Sequence, residues 1–163
     1  MYTGLKNLAP RVVQPVGNKA NFAVTAKFDS VPTDTYQMQG LVLQETLNKF
    51  IRFGMYGNSG VQMYFCAMID TNTANVFFHA STGFAADRLR LERNGDQYTA
   101  LVGRPGFDEF ETLKTFTVNF SSFAVNEAGL YAGNAGGNPA YLASVDWFAV
   151  DEDANALSHP SHT

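Results

Sequence analysis

The sequence predicts an all-β fold, a two-sheet antiparallel jelly-roll sandwich, and three observations carry that prediction. Apolar residues recur with period two in short runs, the signature of half-buried strands. Glycine- and asparagine-rich turns separate those runs at near-regular spacing. Evidence for helices is poor, and Glu45 to Lys49 reads as a loop between strands rather than a helical turn. The chain has 163 residues, of which 45% are hydrophobic. That is room for one ordinary domain with a sizeable core, and it excludes a disordered polymer.

Residues 1–20 read as a lead-in packing on the sandwich, because Pro10, Pro15 and Gly17 interrupt any regular pattern. The sandwich then spans 21–150. Phe22, Val24, Ala26 and Phe28 alternate with Ala23, Thr25, Lys27 and Asp29, which makes the opening strand. Val31-Pro32-Thr33-Asp34 is a turn, followed by strands from Tyr36 to Gln44 and from Lys49 to Tyr56. Gly57-Asn58-Ser59-Gly60 reads as a tight hairpin into a strand from Val61 to Ile69. Further strands fall at 74–80, 87–93, 97–103, 114–120, 128–133 and 141–150, with Asn94-Gly95 as a type I′ turn between two of them. Residues 151–163 are polar, contain Pro160 and lack periodicity, which makes them a tail or linker.

Alternation also assigns faces. Ile51, Phe53 and Met55 oppose Phe50, Arg52, Gly54 and Tyr56; Leu89 and Leu91 oppose Arg88, Arg90 and Glu92. On the strand between, Val61, Met63, Phe65, Ala67 and Ile69 are expected to face the core, with Gln62, Tyr64, Cys66 and Met68 outside. The non-core faces mix Arg, Gln and Tyr with Gly, unlike the Lys, Glu, Thr and Ser of a plainly solvated sheet.

Four segments in order carry a family resemblance. Tyr36-Gln37-Met38-Gln39-Gly40-Leu41-Val42-Leu43 followed by Asn48-Lys49-Phe50-Ile51-Arg52-Phe53 resembles signatures of concanavalin A-like, laminin-G-like modules. Leu89 to Tyr98 resembles their strand-turn-strand segment, and Gly129 to Gly136 with Val145-Asp146-Trp147-Phe148 resembles their closing strands. Such modules are appended to bacterial glycoside hydrolases or embedded in large secreted proteins. The resemblance implies a jelly-roll sandwich, and it points to carbohydrate binding, the commonest role among relatives. The loop from Gly103 to Phe110 lacks the tryptophan often found in them.

Sugar rings offer C–H faces to aromatic side chains and hydroxyls to Arg, Gln, Asn and carboxylates. The expected ligand-binding set is therefore Tyr56 and Tyr64 for stacking, Arg52 and Arg90 for hydroxyls, and Gln39 and Gln62 as adaptable partners, converging on the concave sheet. Trp147, the sole tryptophan, alternates with Val145 and Ala149, which favours a core position. The cofactor expectation is confined to a structural calcium near Asp146, as the resemblance implies; Asp151-x-Asp153-x-Asn155 lacks the glycine of a calcium loop. Neither Asp108-Glu109-Phe110-Glu111 nor Asp151-Glu152-Asp153 has the alternating carboxylates of a jelly-roll glucanase, and no Gly-x-Ser-x-Gly occurs, so no catalytic residue is expected.

Eleven Lys and Arg against 15 Asp and Glu leave a net charge of -4, which argues against nucleic acid as a partner. No apolar run is long enough to insert in a membrane. The single cysteine, Cys66, forms no internal disulfide. The expected protein is thus a non-catalytic carbohydrate-binding module for a polysaccharide chain, secreted or at the cell surface and tethered within a longer polypeptide. Two alternatives stand beside it: a laminin-G-like adhesion or spacer domain, and an accessory domain of a glycoside hydrolase or lyase.

Overall fold

The computed structural model describes residues 10–134 and 141–152. In chain order its strands are β1 (Arg11–Pro15), β2 (Asn21–Phe28), β3 (Gln37–Thr46), β4 (Lys49–Asn58), β5 (Val61–Asp70) and β6 (Thr73–Ala80). They continue as β7 (Arg88–Asn94), β8 (Gln97–Gly103), β9 (Phe110–Thr117), β10 (Glu127–Asn134) and β11 (Val145–Asp151). A six-stranded sheet, here sheet A, has the order β1-β10-β3-β4-β5-β6; a five-stranded sheet B has the order β11-β2-β7-β8-β9. Neighbouring strands pair antiparallel throughout. The fold is an all-β, two-sheet antiparallel sandwich of the jelly-roll type.

The core lies between the sheets, where both inner faces bury apolar side chains at period two. Sheet B contributes Phe22, Val24, Ala26 and Phe28 from β2, Leu89 and Leu91 from β7, and Tyr98, Ala100 and Val102 from β8. Sheet A answers with Leu41 and Leu43 from β3, Ile51, Phe53 and Met55 from β4, and Tyr64 and Cys66 from β5. Burial pushes the Cys66 thiol well above its ordinary pKa, which leaves it a small inert filler.

Several elements differ from the sequence expectation. Residues 11–15 of the expected lead-in form an edge strand, despite Pro15, because the last position of an edge strand needs no ladder donor. β9 begins at Phe110 and ends at Thr117, earlier than the expected 114–120. The alternation of Phe116, Val118 and Phe120 points too late; Phe120–Ser122 is instead a short 3-10 turn whose Asn119 side chain accepts from the Ser121 N–H. The β7–β8 turn sits on Gly95 and Asp96, with Asn94 paired to Gln97 and Gly95 at φ 63°. Of the expected tail, residues 153–163 lie outside the described residues.

The faces of β5 are the reverse of those expected. Tyr64 and Cys66 point into the core, whereas Phe65, Ala67 and Ile69 point outward from sheet A. The cause is the β4–β5 turn, in which Asn58 pairs with Val61 across Ser59 and Gly60, both at positive φ. A two-residue turn sets even-numbered positions of β4 opposite odd-numbered positions of β5, so outward Gly54 meets Phe65 and outward Tyr56 meets Met63. Because both faces of β5 are apolar, its own alternation could not choose between them.

Candidate functional site on the outer face of sheet A

Sheet A carries a second apolar cluster on the side away from the main core, its side chains each less than a tenth exposed. It is built from Met38 and Val42 of β3, Phe50 and Tyr56 of β4, Phe65, Ala67 and Ile69 of β5, and Tyr131 of β10. Strand pairing aligns Tyr131, Gly40, Gly54, Phe65 and His79 in one row across five strands. The two glycines form the floor of that row. A Cβ on either would strike both neighbouring backbone and the Tyr131 side chain, which lies over them.

Arg52 occupies the adjoining row with only 5% exposure. Its guanidinium carbon lies 5.5 Å from the Phe65 ring centroid and 5.6 Å from that of Tyr131, within cation–π range. Its Nη1 donates to Met38 Sδ at 3.8 Å. Together with Gly54, Met55 and Tyr56, these residues line a hollow of about 10 Å³. That is space for roughly one water molecule, too small to enclose a sugar ring.

At the β6 end the rim is aromatic and more open. The exposed His79 ring lies 4.9 Å from Phe65 and 6.2 Å from Tyr56, edge-on to both. Tyr36 lies 5.9 Å from Tyr56. Tyr36 adopts φ 62°, a left-handed conformation that strains a bulky residue. It is held there because its N–H donates to Gly57 O at 2.8 Å while the Gln37 N–H donates to Asp34 O at 3.1 Å. Burial, and then the neighbouring Tyr36, pushes the Tyr56 phenol above its ordinary pKa, so it serves as a neutral hydroxyl.

The opposite end of the face is closed by polar pairing. The Arg11 guanidinium lies 4.1 Å over Phe50 and donates to Gln44 Oε1 at 2.8 Å and Leu47 O at 3.2 Å. Gln44 Nε2 in turn donates to Glu127 Oε1 at 2.9 Å. Burial, then the charge of Arg52, lowers the Arg11 pKa.

Of the side chains expected to bind sugar, this face brings together Arg52 and Tyr56; the others lie elsewhere. Tyr64 is fully buried, donating from Oη to Phe84 O at 3.0 Å and accepting from the Ala86 N–H at 2.8 Å, which pins the segment before β7. Gln39 points between the sheets, where Nε2 donates to Ser30 O at 2.8 Å and Oε1 accepts from Ser30 Oγ at 2.7 Å and Tyr141 Oη at 2.6 Å. Gln62 braces a loop by donating to Pro32 O at 2.9 Å. Arg90 does face outward, but from sheet B, on the other side of the sandwich, bound to Glu92 at 2.8 Å and Thr25 at 2.9 Å. The expectation of one shared surface for all six is therefore corrected. Sequence parity assigns faces within a strand, but not to which sheet the strand belongs.

The structure adds Tyr36, Met38, Phe65, His79 and Tyr131 to the face. Counting across the Ser59-Gly60 turn would have found Phe65. The position of Tyr131 opposite Gly40 depends on a long-range pairing that leaves no local mark.

Asp146 pairs with Lys27 at 3.4 Å, and no group of three or more His, Cys, Asp or Glu that could hold a metal occurs among the described residues. A calcium ion there would meet a lysine ammonium, so the residues present do not fit a site centred on Asp146. Trp147 is not in the core: it is 42% exposed on the outer face of sheet B. Its neighbours Phe148 and Val150 pack inward instead.

No family model and no curated protein sequence matches the chain. Solved structures do share its fold. A xylan β-1,4-xylosidase from Bacillus halodurans C-125 superposes with TM-score 0.71 at 13% identity, over 88% of this chain and 30% of that one. The CBM2 module of the evolved Dit protein of Lactobacillus casei BL23 phage J-1 matches with TM-score 0.61 at 16% identity, over 82% and 64% of the respective chains. Sheep galectin-11 matches with TM-score 0.58 at 11% identity, over 88% and 99%. Against the GH43 protein BlXynB of Bacillus licheniformis, the chain spans 32% of the partner's length. At these identities the likeness establishes the architecture alone, a two-sheet β-sandwich. No helix among the described residues is long and apolar enough to cross a membrane.

Proposed function

We propose that the chain is a non-catalytic carbohydrate-binding module that takes a polysaccharide on the outer face of sheet A. The observation that carries this reading is the row Tyr131–Gly40–Gly54–Phe65–His79, with Arg52 between the Phe65 and Tyr131 rings and Tyr36 and Tyr56 at the rim. The rings of His79 and Tyr36 at the rim offer faces to a sugar's C–H surface, and the Tyr36 and Tyr56 hydroxyls offer hydrogen-bond partners to its oxygens. The strained Tyr36 backbone supports it, since strain persists where the fold holds a residue in place and is concentrated at binding sites. Catalysis by paired carboxylates has little to draw on, because Glu127 is the described carboxylate among the outward strand positions of sheet A and it is bound to Gln44.

Likeness to a CBM2 module and to galectins supports sugar recognition, and matching about a third of BlXynB is in keeping with a module joined to others in a longer chain, which we propose is extracellular. The concanavalin A-like or laminin-G-like kinship belongs to the same reading. That partial coverage also favours a second reading, an accessory domain of a glycoside hydrolase.

Affinity gel electrophoresis on soluble β-glucan, xylan and algal polysaccharides tests the proposal. The chain should be retarded on at least one. His79→Ala and Tyr36→Gly should lose most of that retardation with an unchanged melting temperature, since His79 is exposed and glycine relieves the strained φ. Free migration on every polysaccharide defeats the proposal.

A further inference from the structure

Asp146 is an extra residue in its strand. β11 pairs Val145 with Phe28 and Trp147 with Lys27, leaving Asp146 as a β-bulge. A bulge re-aims side chains that regular alternation would send to opposite faces. Here it allows Asp146 to reach Lys27, which lies directly across from outward-facing Trp147, so that carboxylate, ammonium and indole share one patch.

The patch is open. Trp147 is 42% exposed, and the side chains of Lys27 and Asp146 are 36% and 46% exposed. The next outward positions along the two strands are the short Ala149 and Thr25. Most large apolar side chains here are buried, and tryptophan carries the largest aromatic surface available for stacking. Beside it stand a cation with donors and an anion with acceptors, the complement that a ring of alternating hydroxyls requires. An apolar protein partner would find a charged pair to desolvate at the centre of the contact.

We infer that Trp147, Lys27 and Asp146 form a second sugar-contact site on the outer face of sheet B, stacking one pyranose ring on the indole and taking its hydroxyls with the ion pair. The inference rests on the reading of the chain as a carbohydrate-binding module, but not on the site on sheet A. The two sites face opposite directions, so a tethered module could hold two polysaccharide strands or one that wraps its edge.

Because Trp147 is the sole tryptophan, its emission reports on this site alone. The intact chain is titrated with xylohexaose and with cellohexaose, following emission and acrylamide quenching, while gel retardation is scored for the wild type, Trp147→Ala, Trp147→Phe and His79→Ala. The expected result is a saturable blue shift and reduced quenching with at least one oligosaccharide. Affinity at this site should fall about tenfold or more in Trp147→Ala and be largely kept in Trp147→Phe. An edge-strand indole this exposed is replaceable without unfolding, which the melting temperature checks. Retardation lost in His79→Ala but kept in Trp147→Ala, with emission unmoved by sugar, overturns the second site alone. Retardation lost in Trp147→Ala but kept in His79→Ala supports it and overturns the sheet A site. A wild type that neither shifts nor is retarded overturns both.

Discussion

The two outward faces of the sandwich solve the same problem differently. On sheet B, away from Trp147 on the edge strand β11, the outward arginines are tied to their neighbours: Arg90 bonds Glu92 and Thr25, while Arg88 donates to the carbonyls of Arg104, Phe107 and Asp108. On sheet A most of the corresponding positions are aromatic, aliphatic or glycine, with Gln44 and Glu127 paired at one end, and the guanidinium groups of Arg11 and Arg52 lie over rings. That part of the first face is held by its own hydrogen bonds. The second is packed like a small core of its own, its apolar side chains each less than a tenth exposed, and it opens at the His79 rim. The difference explains why Arg52 and Arg90, equivalent by alternation, differ in role.

The sharpest way to break this comparison is to remove a residue assigned to neither face. Tyr64→Ala should destabilise the chain by about 3–5 kcal/mol in urea unfolding, because it empties a fully buried site. Tyr64→Phe should cost about 1–3 kcal/mol by leaving the buried Ala86 N–H without its acceptor, while the Phe84 carbonyl keeps the Thr82 hydroxyl. A melting temperature unmoved by Tyr64→Ala would put the ring at the surface and undo the face assignment of β5.

A matched pair then separates the faces. Gly54→Ala should cost about 1–3 kcal/mol and reduce polysaccharide retention, since the new methyl displaces Tyr131 from the floor. Arg90→Ala should cost about 1–2 kcal/mol through its orphaned partners yet leave retention on the sheet A site unchanged. Equal effects of the two variants on retention would erase the distinction.

The smallest effect concerns the interior both faces enclose. Burial pushes the Tyr98 phenol up to about 12, with the Arg93 guanidinium pulling it back down. The folded chain therefore holds this proton more tightly than the unfolded one, whose phenol titrates near 10. Its contribution to stability is complete below about pH 10 and is lost as pH rises from there toward 12. Tyr98→Phe should flatten that part of the pH–stability curve. It should cost little at neutral pH, because the neighbouring Arg93 keeps its hydrogen bonds to Asn18, Lys19 and Phe123 without that hydroxyl.

Legibility in the sequence followed the range of the determining interaction. Period-two alternation in Phe22–Phe28 and Lys49–Tyr56 is local, and those strands and their inward residues stand where the pattern put them. β9 misled because it is mostly exposed, so no apolar rhythm marks its start. Within the site, Arg52 and Tyr56 were legible because Ile51, Phe53 and Met55 fix the inward side of β4. Tyr131 was not, since its place is set by pairing with a strand some ninety residues earlier. The exposure of Trp147 was hidden for another reason: a bulge changes the count, and alternation presumes none.

The position of β10 has a practical corollary. This strand, from the last third of the chain, slots between β1 and β3 in sheet A and carries Tyr131 to the glycine floor. Until it arrives, β1 has no partner and β3 shows a raw edge of unpaired amides, the kind of template on which chains self-associate. A version shortened ahead of residue 127, whether by design, by protease or by a stalled ribosome, should therefore fail as a sticky half-sheet rather than persist as a smaller sandwich.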